Sequence, residues 1–246
     1  MPKLEISKVH DAYREGGECP LCWLMDAGER SYLRSFQGSR VMEPNVRIKT
    51  NESGFCREHY KRLYRGENKL GLGLVVHTHL QTWLPRLRKA LDEARRPEDA
   101  ARPRKGGKGA GGRRGTPLET LKDLRDSCFI CDMLAMDRNR YVETILYLWK
   151  EDEEFRGTLL GSRGFCIEHF RVVAGKAEEY LKEADRAGFF AELVPIMIQS
   201  LERLERDVFE FTQLFQDSNK SLGTEEQRTA LVRVLQKLAG CVIGSD

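Results

Sequence analysis

Long apolar runs are missing from this sequence, and that absence sets the first bounds. No stretch approaches the roughly 20 apolar residues a membrane-spanning helix needs, and Met1 to Glu18 holds no apolar core of the kind that drives secretion. A cytoplasmic protein without membrane contact is the expectation. Excess charge of one sign is scarce too: 41 Lys and Arg oppose 38 Asp and Glu, and a net charge of +3 gives no strong field to steer a polyanion. No Walker loop, dinucleotide fingerprint, nucleophile elbow or calcium-binding loop occurs, so no catalytic constellation is recognisable and an enzymatic role is not favoured. β-Branched runs are few and nothing reads as a sheet, although a short hairpin beside a cysteine pair would fit. With 246 residues and 40% hydrophobic content the chain can still bury a sizeable core.

What the chain does have is one cysteine pattern written twice. The first copy is Cys19-Pro20-Leu21-Cys22 followed by Gly54-Phe55-Cys56-Arg57-Glu58-His59. The second is Cys128-Phe129-Ile130-Cys131 followed by Gly164-Phe165-Cys166-Ile167-Glu168-His169. Each copy offers three thiols and one imidazole, the donor set of a tetrahedral Cys3His zinc site. Three residues apart on a first helical turn, Cys56 and His59 point the same way, as do Cys166 and His169, and a helix N-terminus favours thiolate. Redox thiols, disulfides and ordinary core cysteines are the competing readings; a reducing cytosol disfavours structural disulfides. An iron–sulfur cluster is the alternative cofactor to two zinc ions per chain.

The likeness between the copies extends past the ligands. Counted from the second cysteine, Tyr32 aligns with Tyr141, Leu33 with Val142, Phe36 with Ile145 and Arg47 with Arg156. A period of about 110 residues reads as duplication of a small domain rather than as a solenoid. The expectation is a pseudo-two-fold molecule with two separate sites, each completed within its own repeat.

These paired motifs resemble an uncharacterised bacterial and archaeal family of domains of unknown function carrying CPxC and GFCxxH. The resemblance covers nearly the whole chain except the middle and the C-terminal tail. It implies a metal-binding, largely helical protein and names no activity. Phe129 departs from the first motif by replacing its proline.

Helical periodicity dominates the remainder and makes the fold class all-α. Helices are expected from Cys22 to Phe36, Cys56 to Tyr64, Leu70 to Leu91 with a kink at Pro85, Met133 to Trp149, Cys166 to Leu181 and Phe189 to Phe215. On the third of these, Leu74, Trp83, Leu84, Leu87 and Leu91 are the candidate core positions. Thr224 with Gln227 reads as a capping box opening a last helix that Gly240 ends. The expected divisions are 1–94 for the first repeat, 95–117 for a linker, 118–217 for the second repeat and 218–246 for a C-terminal helix. Residues 95–115 hold eight Lys or Arg, two acids and six glycines, a composition that cannot bury a core and suits a solvated spacer. Nucleic acid could associate only there, and the stretch lacks aromatics for base stacking.

Several residues invite sharper readings. His77 and His79, two apart on a helix, face different ways and suit the surface or its boundary better than a site; His10 has no motif near it. Glu58 and Glu168 sit beside the candidate ligand histidines, which invites a general-base reading. The zinc deaminases place the glutamate two residues after the histidine, and the histidine before the cysteines, an order reversed here. The plainer reading has these acids favouring the helix N-terminus or holding Arg47 and Arg156. Four ligands per site leave no open position for water activation. Cys241 has no partner motif and no assigned role. The leading expectation is a zinc-binding helical scaffold that presents a surface to a protein partner. A thiol or metal-responsive switch at Cys19 and Cys22 is the alternative, with the Cys128–Cys131 pair less reactive in an apolar surround.

Overall fold

The computed structural model describes residues 5–94, 119, 121–122, 126–214 and 223–240; Cys241 and the basic stretch at 95–115 lie outside them. Among the described residues all regular structure is helical. The order is α1 (Ile6–Arg14), α2 (Pro20–Gln37), a 3-10 turn (Ser39–Met42), α3 (Pro44–Ser53), α4 (Arg57–Arg65), α5 (Lys69–Ala94), α6 (Phe129–Glu151), α7 (Glu153–Leu160), α8 (Ile167–Tyr180), α9 (Glu183–Gln213) and α10 (Glu225–Ala239). Helices α1, α3 and α7 lack a counterpart among the expected elements. Each is ten residues or shorter. Such segments carry too few apolar residues to set a period, and isolated helices of that length owe their existence to packing.

The chain forms two compact units, residues 1–28 with 135–246, and residues 29–134. Both boundaries fall inside helices, α2 and α6, so each unit draws on both copies of the cysteine pattern.

In the first unit α6 supplies Val142, Ile145 and Leu146, all fully buried, as its apolar run implies. Phe155 and Leu159 of α7, Val173 of α8 and Phe189 and Leu193 of α9 complete this core. Helix α10 opens with the expected capping box, Thr224 accepting from the Gln227 N–H, and ends at Gly240 in the left-handed region.

In the second unit Phe36, Phe55 and Phe129 form the centre, with Phe36 edge-on to Phe55 at 5.2 Å and to Phe129 at 5.7 Å between ring centroids. Helix α5 continues through Pro85, and its core stripe shares Trp83 with the expected one but otherwise differs. Val75, His79 and Trp83, four apart, are buried, whereas Leu74, Leu84 and Leu91 are exposed. The reason lies in the end of α3, whose last carbonyls have no partners within the helix. The His79 Nδ1 faces the Asn51 carbonyl at 2.9 Å, and the Trp83 indole N–H donates to the Glu52 carbonyl at 2.6 Å. Two side chains with polar atoms thus outrank leucines for the buried face, and His79 is an interior residue rather than a surface one.

Candidate metal centres

Cys19, Cys56, Cys128 and Cys166 each sit immediately before a helix, and Cys22, His59, Cys131 and His169 lie in the first turns that follow. Every ligand pair therefore stands at the positive end of a helix dipole, where negative sulfur is favoured. The Cys128 sulfur accepts from the Cys131 N–H at 3.5 Å and the Cys166 sulfur from the His169 N–H at 3.4 Å.

The pairs meet in two clusters, and the partnership crosses the copies. Cys19 and Cys22 join Cys166 and His169; Cys56 and His59 join Cys128 and Cys131. The expectation that each repeat completes its own site is corrected. The eight residues are those expected, and only their grouping differs.

Within residues 29–134, Phe36 of α2 packs on Phe55, the neighbour of Cys56. Backbone pairing then selects the partner: the Phe129 N–H donates to the Gly54 carbonyl at 3.0 Å, and the Ser127 hydroxyl donates to the Ser53 carbonyl at 2.8 Å. The aligned positions, Glu18 and Arg163, meet at the other cluster as an ion pair of 3.1 Å. Lys237 of α10 adds a clamp, its ammonium donating to the Glu18 carbonyl at 3.4 Å and to the Arg163 carbonyl. Gly54 and Gly164 make the turns with φ of 57° and 69°; a Cβ at Gly54 would lie 2.6 Å from the His79 ring, and one at Gly164 2.8 Å from the Met197 sulfur.

The distances fit a tetrahedral ion. Sulfurs about 2.3 Å and an imidazole nitrogen about 2.0 Å from a central metal lie about 3.8 Å and about 3.5 Å apart along the tetrahedron's edges. Here Cys22 and Cys166 are 3.6 Å apart and Cys56 and Cys131 3.8 Å. Each histidine turns Nδ1 to its sulfurs at 3.2 to 3.4 Å. The six cysteines of the two clusters form no disulfide. Either cluster can hold a metal ion with four protein ligands, leaving no position for a reactive water.

Crowding four ionisable groups sets their protons in conflict. Burial works against a charged His59, yet the Cys128 thiol and the Glu29 carboxylate outweigh it and raise the imidazole to about 10. His169 rises to about 9, burial again being outweighed by Cys166 and Cys19. Burial pushes Cys128 up, but its His59 contact and backbone donors bring it to about 6. Cys166 is lowered by its Cys19 and Cys22 contacts, while Cys22 is raised by Cys166 and Cys19. A dication would take the place of those protons, with the sulfurs bound as thiolates and the imidazoles neutral.

The surroundings differ. Cys19, Cys22, Cys166 and His169 are all buried. Gly240 closes over them: its carbonyl is 3.7 Å from the Cys22 sulfur, and a Cβ on it would come within 3.3 Å of the Cys166 sulfur. The other cluster has Cys128 and His59 buried, Cys56 half-buried and Cys131 exposed. This inverts the ranking of the pairs, because Cys19 and Cys22 are the sealed ones. Phe129 and Ile130 are indeed buried, but they point into the core and leave Cys131 outside.

Glu29 is the residue that sequence reasoning missed. Its carboxylate accepts from the His59 Nε2 at 3.0 Å and from Arg62 at 2.7 Å, the outer partner that fixes a metal-binding imidazole. A signal existed, since Glu29 lies on the stripe of α2 that carries Leu33 and Phe36. The aligned position in the second copy is Arg138, so His169 has no equivalent carboxylate from that helix position. Glu29→Gln should weaken metal binding at the Cys56 cluster by about 10–100-fold while leaving the Cys19 cluster unchanged, readable by competition with a chromogenic chelator.

Other singled-out residues fall elsewhere. Glu58 pairs with Lys61 at 3.0 Å and Glu168 with Arg171 at 2.6 Å, both turned to solvent. They do not hold Arg47, which reaches the Leu74 carbonyl and the Thr78 hydroxyl, nor Arg156, which pairs with Glu192. His77 is exposed, and His10 stacks edge-on against Phe155.

An all-helical protein with two Cys/His clusters able to hold metal is the class that fold and site define. Within it, the chain belongs to a family of unknown function, DUF6062, whose model matches residues 2–244. No curated protein and no solved structure matches it. Among the described residues no helix is long and apolar enough to cross a membrane.

Proposed function

We propose that both clusters bind zinc and that the protein is a metal-stapled helical scaffold. The observation that carries this reading is the assembly of each four-ligand set from two helix starts far apart in the chain, with no coordination position left over. Two Cys3His sites bring a formal charge of about −1 each when filled by a dication, suited to structure rather than to water activation. A scaffold of this kind acts through the surface it holds in place, and a protein partner is the reading that follows. Association of nucleic acid through residues 95–115 is the weaker alternative: unchanged retention on heparin after their deletion would remove it.

The test is metal analysis together with thermal unfolding. Purified protein should be colourless with two zinc ions per chain, and a strong chelator should lower the unfolding midpoint by well over 10 °C, because metal binding free energy is folding free energy at such sites. A brown protein containing iron and sulfide would replace zinc by a cluster. An unchanged midpoint after complete metal removal would reject the structural role.

A further inference from the structure

We infer that the Cys56–His59–Cys128–Cys131 centre is a peroxide-responsive zinc site whose reactive sulfur is Cys131 and whose resolving sulfur is Cys56, the Cys19 centre remaining inert. This deepens the zinc reading above and rests on it.

Three observations converge. Cys131 is the exposed ligand of the eight, Cys56 is half-buried beside it, and their sulfurs lie 3.8 Å apart. Cys128 and His59 are buried and form the floor. The companion centre is an internal control in the same chain, with the same donors closed under Gly240 and Lys237. A zinc-bound thiolate is already deprotonated, so access decides which one meets an oxidant.

The chemistry balances with hydrogen peroxide as the two-electron oxidant. The Cys131 thiolate attacks one peroxide oxygen; an S–O bond forms, the O–O bond breaks and hydroxide leaves, giving a sulfenic acid. The Cys56 thiolate then attacks that sulfur; an S–S bond forms, the S–O bond breaks and a second hydroxide leaves. Two thiolates have lost two electrons in total, and one peroxide has become two hydroxides. Zinc keeps only Cys128 and His59 and is released. A dithiol reductant and fresh zinc reverse the sequence. The disulfide ties the start of α4 to the start of α6, where the metal had held them.

The experiment titrates zinc-loaded full-length protein with hydrogen peroxide, reads released zinc with a chromogenic chelator and maps disulfides by mass spectrometry. In parallel, N-ethylmaleimide labels the loaded, unoxidised protein. The first zinc should leave at least about tenfold faster than the second, together with a Cys56–Cys131 disulfide, and Cys131 should be the first of the six cluster cysteines alkylated. Two zinc ions at the start followed by release at equal rates, or a first disulfide between Cys19 and Cys22, overturns this inference and leaves the zinc reading standing. Alkylation of another cluster cysteine before Cys131 also overturns it. Protein that starts without zinc overturns both.

Discussion

Cys19→Ala combined with Cys166→Ala will leave one zinc per chain, and Cys19→Ala combined with Cys56→Ala will leave none. Each single substitution removes one ion, so the double variants separate the exchanged pairing from pairing within a copy. Under the exchanged arrangement Cys19 and Cys166 serve the same ion, and the second loss costs nothing further. Pairing within a copy would give the reverse result, with Cys19 and Cys56 sharing an ion. Metal analysis of the two double variants beside the unsubstituted protein decides it. Stability should follow the same grouping: loss of the Cys19 ion should destabilise residues 1–28 with 135–246 by about 4–5 kcal/mol or more, the scale at which loss of a structural metal stands out among point substitutions. Hydrogen exchange resolved by peptide would place that loss, and protection surviving in 29–134 is the expected companion.

The second large effect belongs to Glu18, whose side chain is 1% exposed. Arg203 donates to both its oxygens at 2.6 and 2.8 Å, Arg163 to one at 3.1 Å, and Arg233 stands 3.7 Å away. Lys237 lies fully buried beside them, its ammonium pushed down by burial and only partly restored by Glu18. Glu18→Ala leaves these cations facing one another with Asp207 alone to answer Arg203 and Arg233. Removing one partner from a buried charge cluster costs about 3–5 kcal/mol, and thermal unfolding should show a loss of that size. Glu18→Gln keeps the shape and some hydrogen bonds, so it should cost less. Equal, small effects from both would show that solvent screens the arginines and that Glu18 contributes little.

The Cys and His residues of the two clusters and the helical class were legible because both depend on local chemistry. A thiol before a helix and a second ligand in its first turn is a spacing, and apolar residues every three or four positions is a period. The apolar run of α6 and the capping box of α10 were legible for the same reason. What escaped was set by distant segments. The grouping goes with the Phe36–Phe55 contact and the Phe129–Gly54 backbone hydrogen bond, neither of which leaves a mark in the motifs. His79 joined the expected Trp83 on the core face of α5 because α3 ends with carbonyls in need of donors. Lys237 carries no signal at all: a lysine in an amphipathic helix reads as solvated, and only the Glu18 and Arg163 carbonyls explain its burial.

The exchange of partners also sets an order of events on the ribosome. The segment from Cys56 to Cys131 lies wholly inside the segment from Cys19 to His169, so the two closures are nested. The inner centre can capture its ion as soon as Cys131 has emerged, while Cys19 and Cys22, made first, must wait until His169 follows. At about 5–20 residues per second that interval is a few seconds. Of the two cysteine pairs in these motifs, the one made first is thus the last to be satisfied.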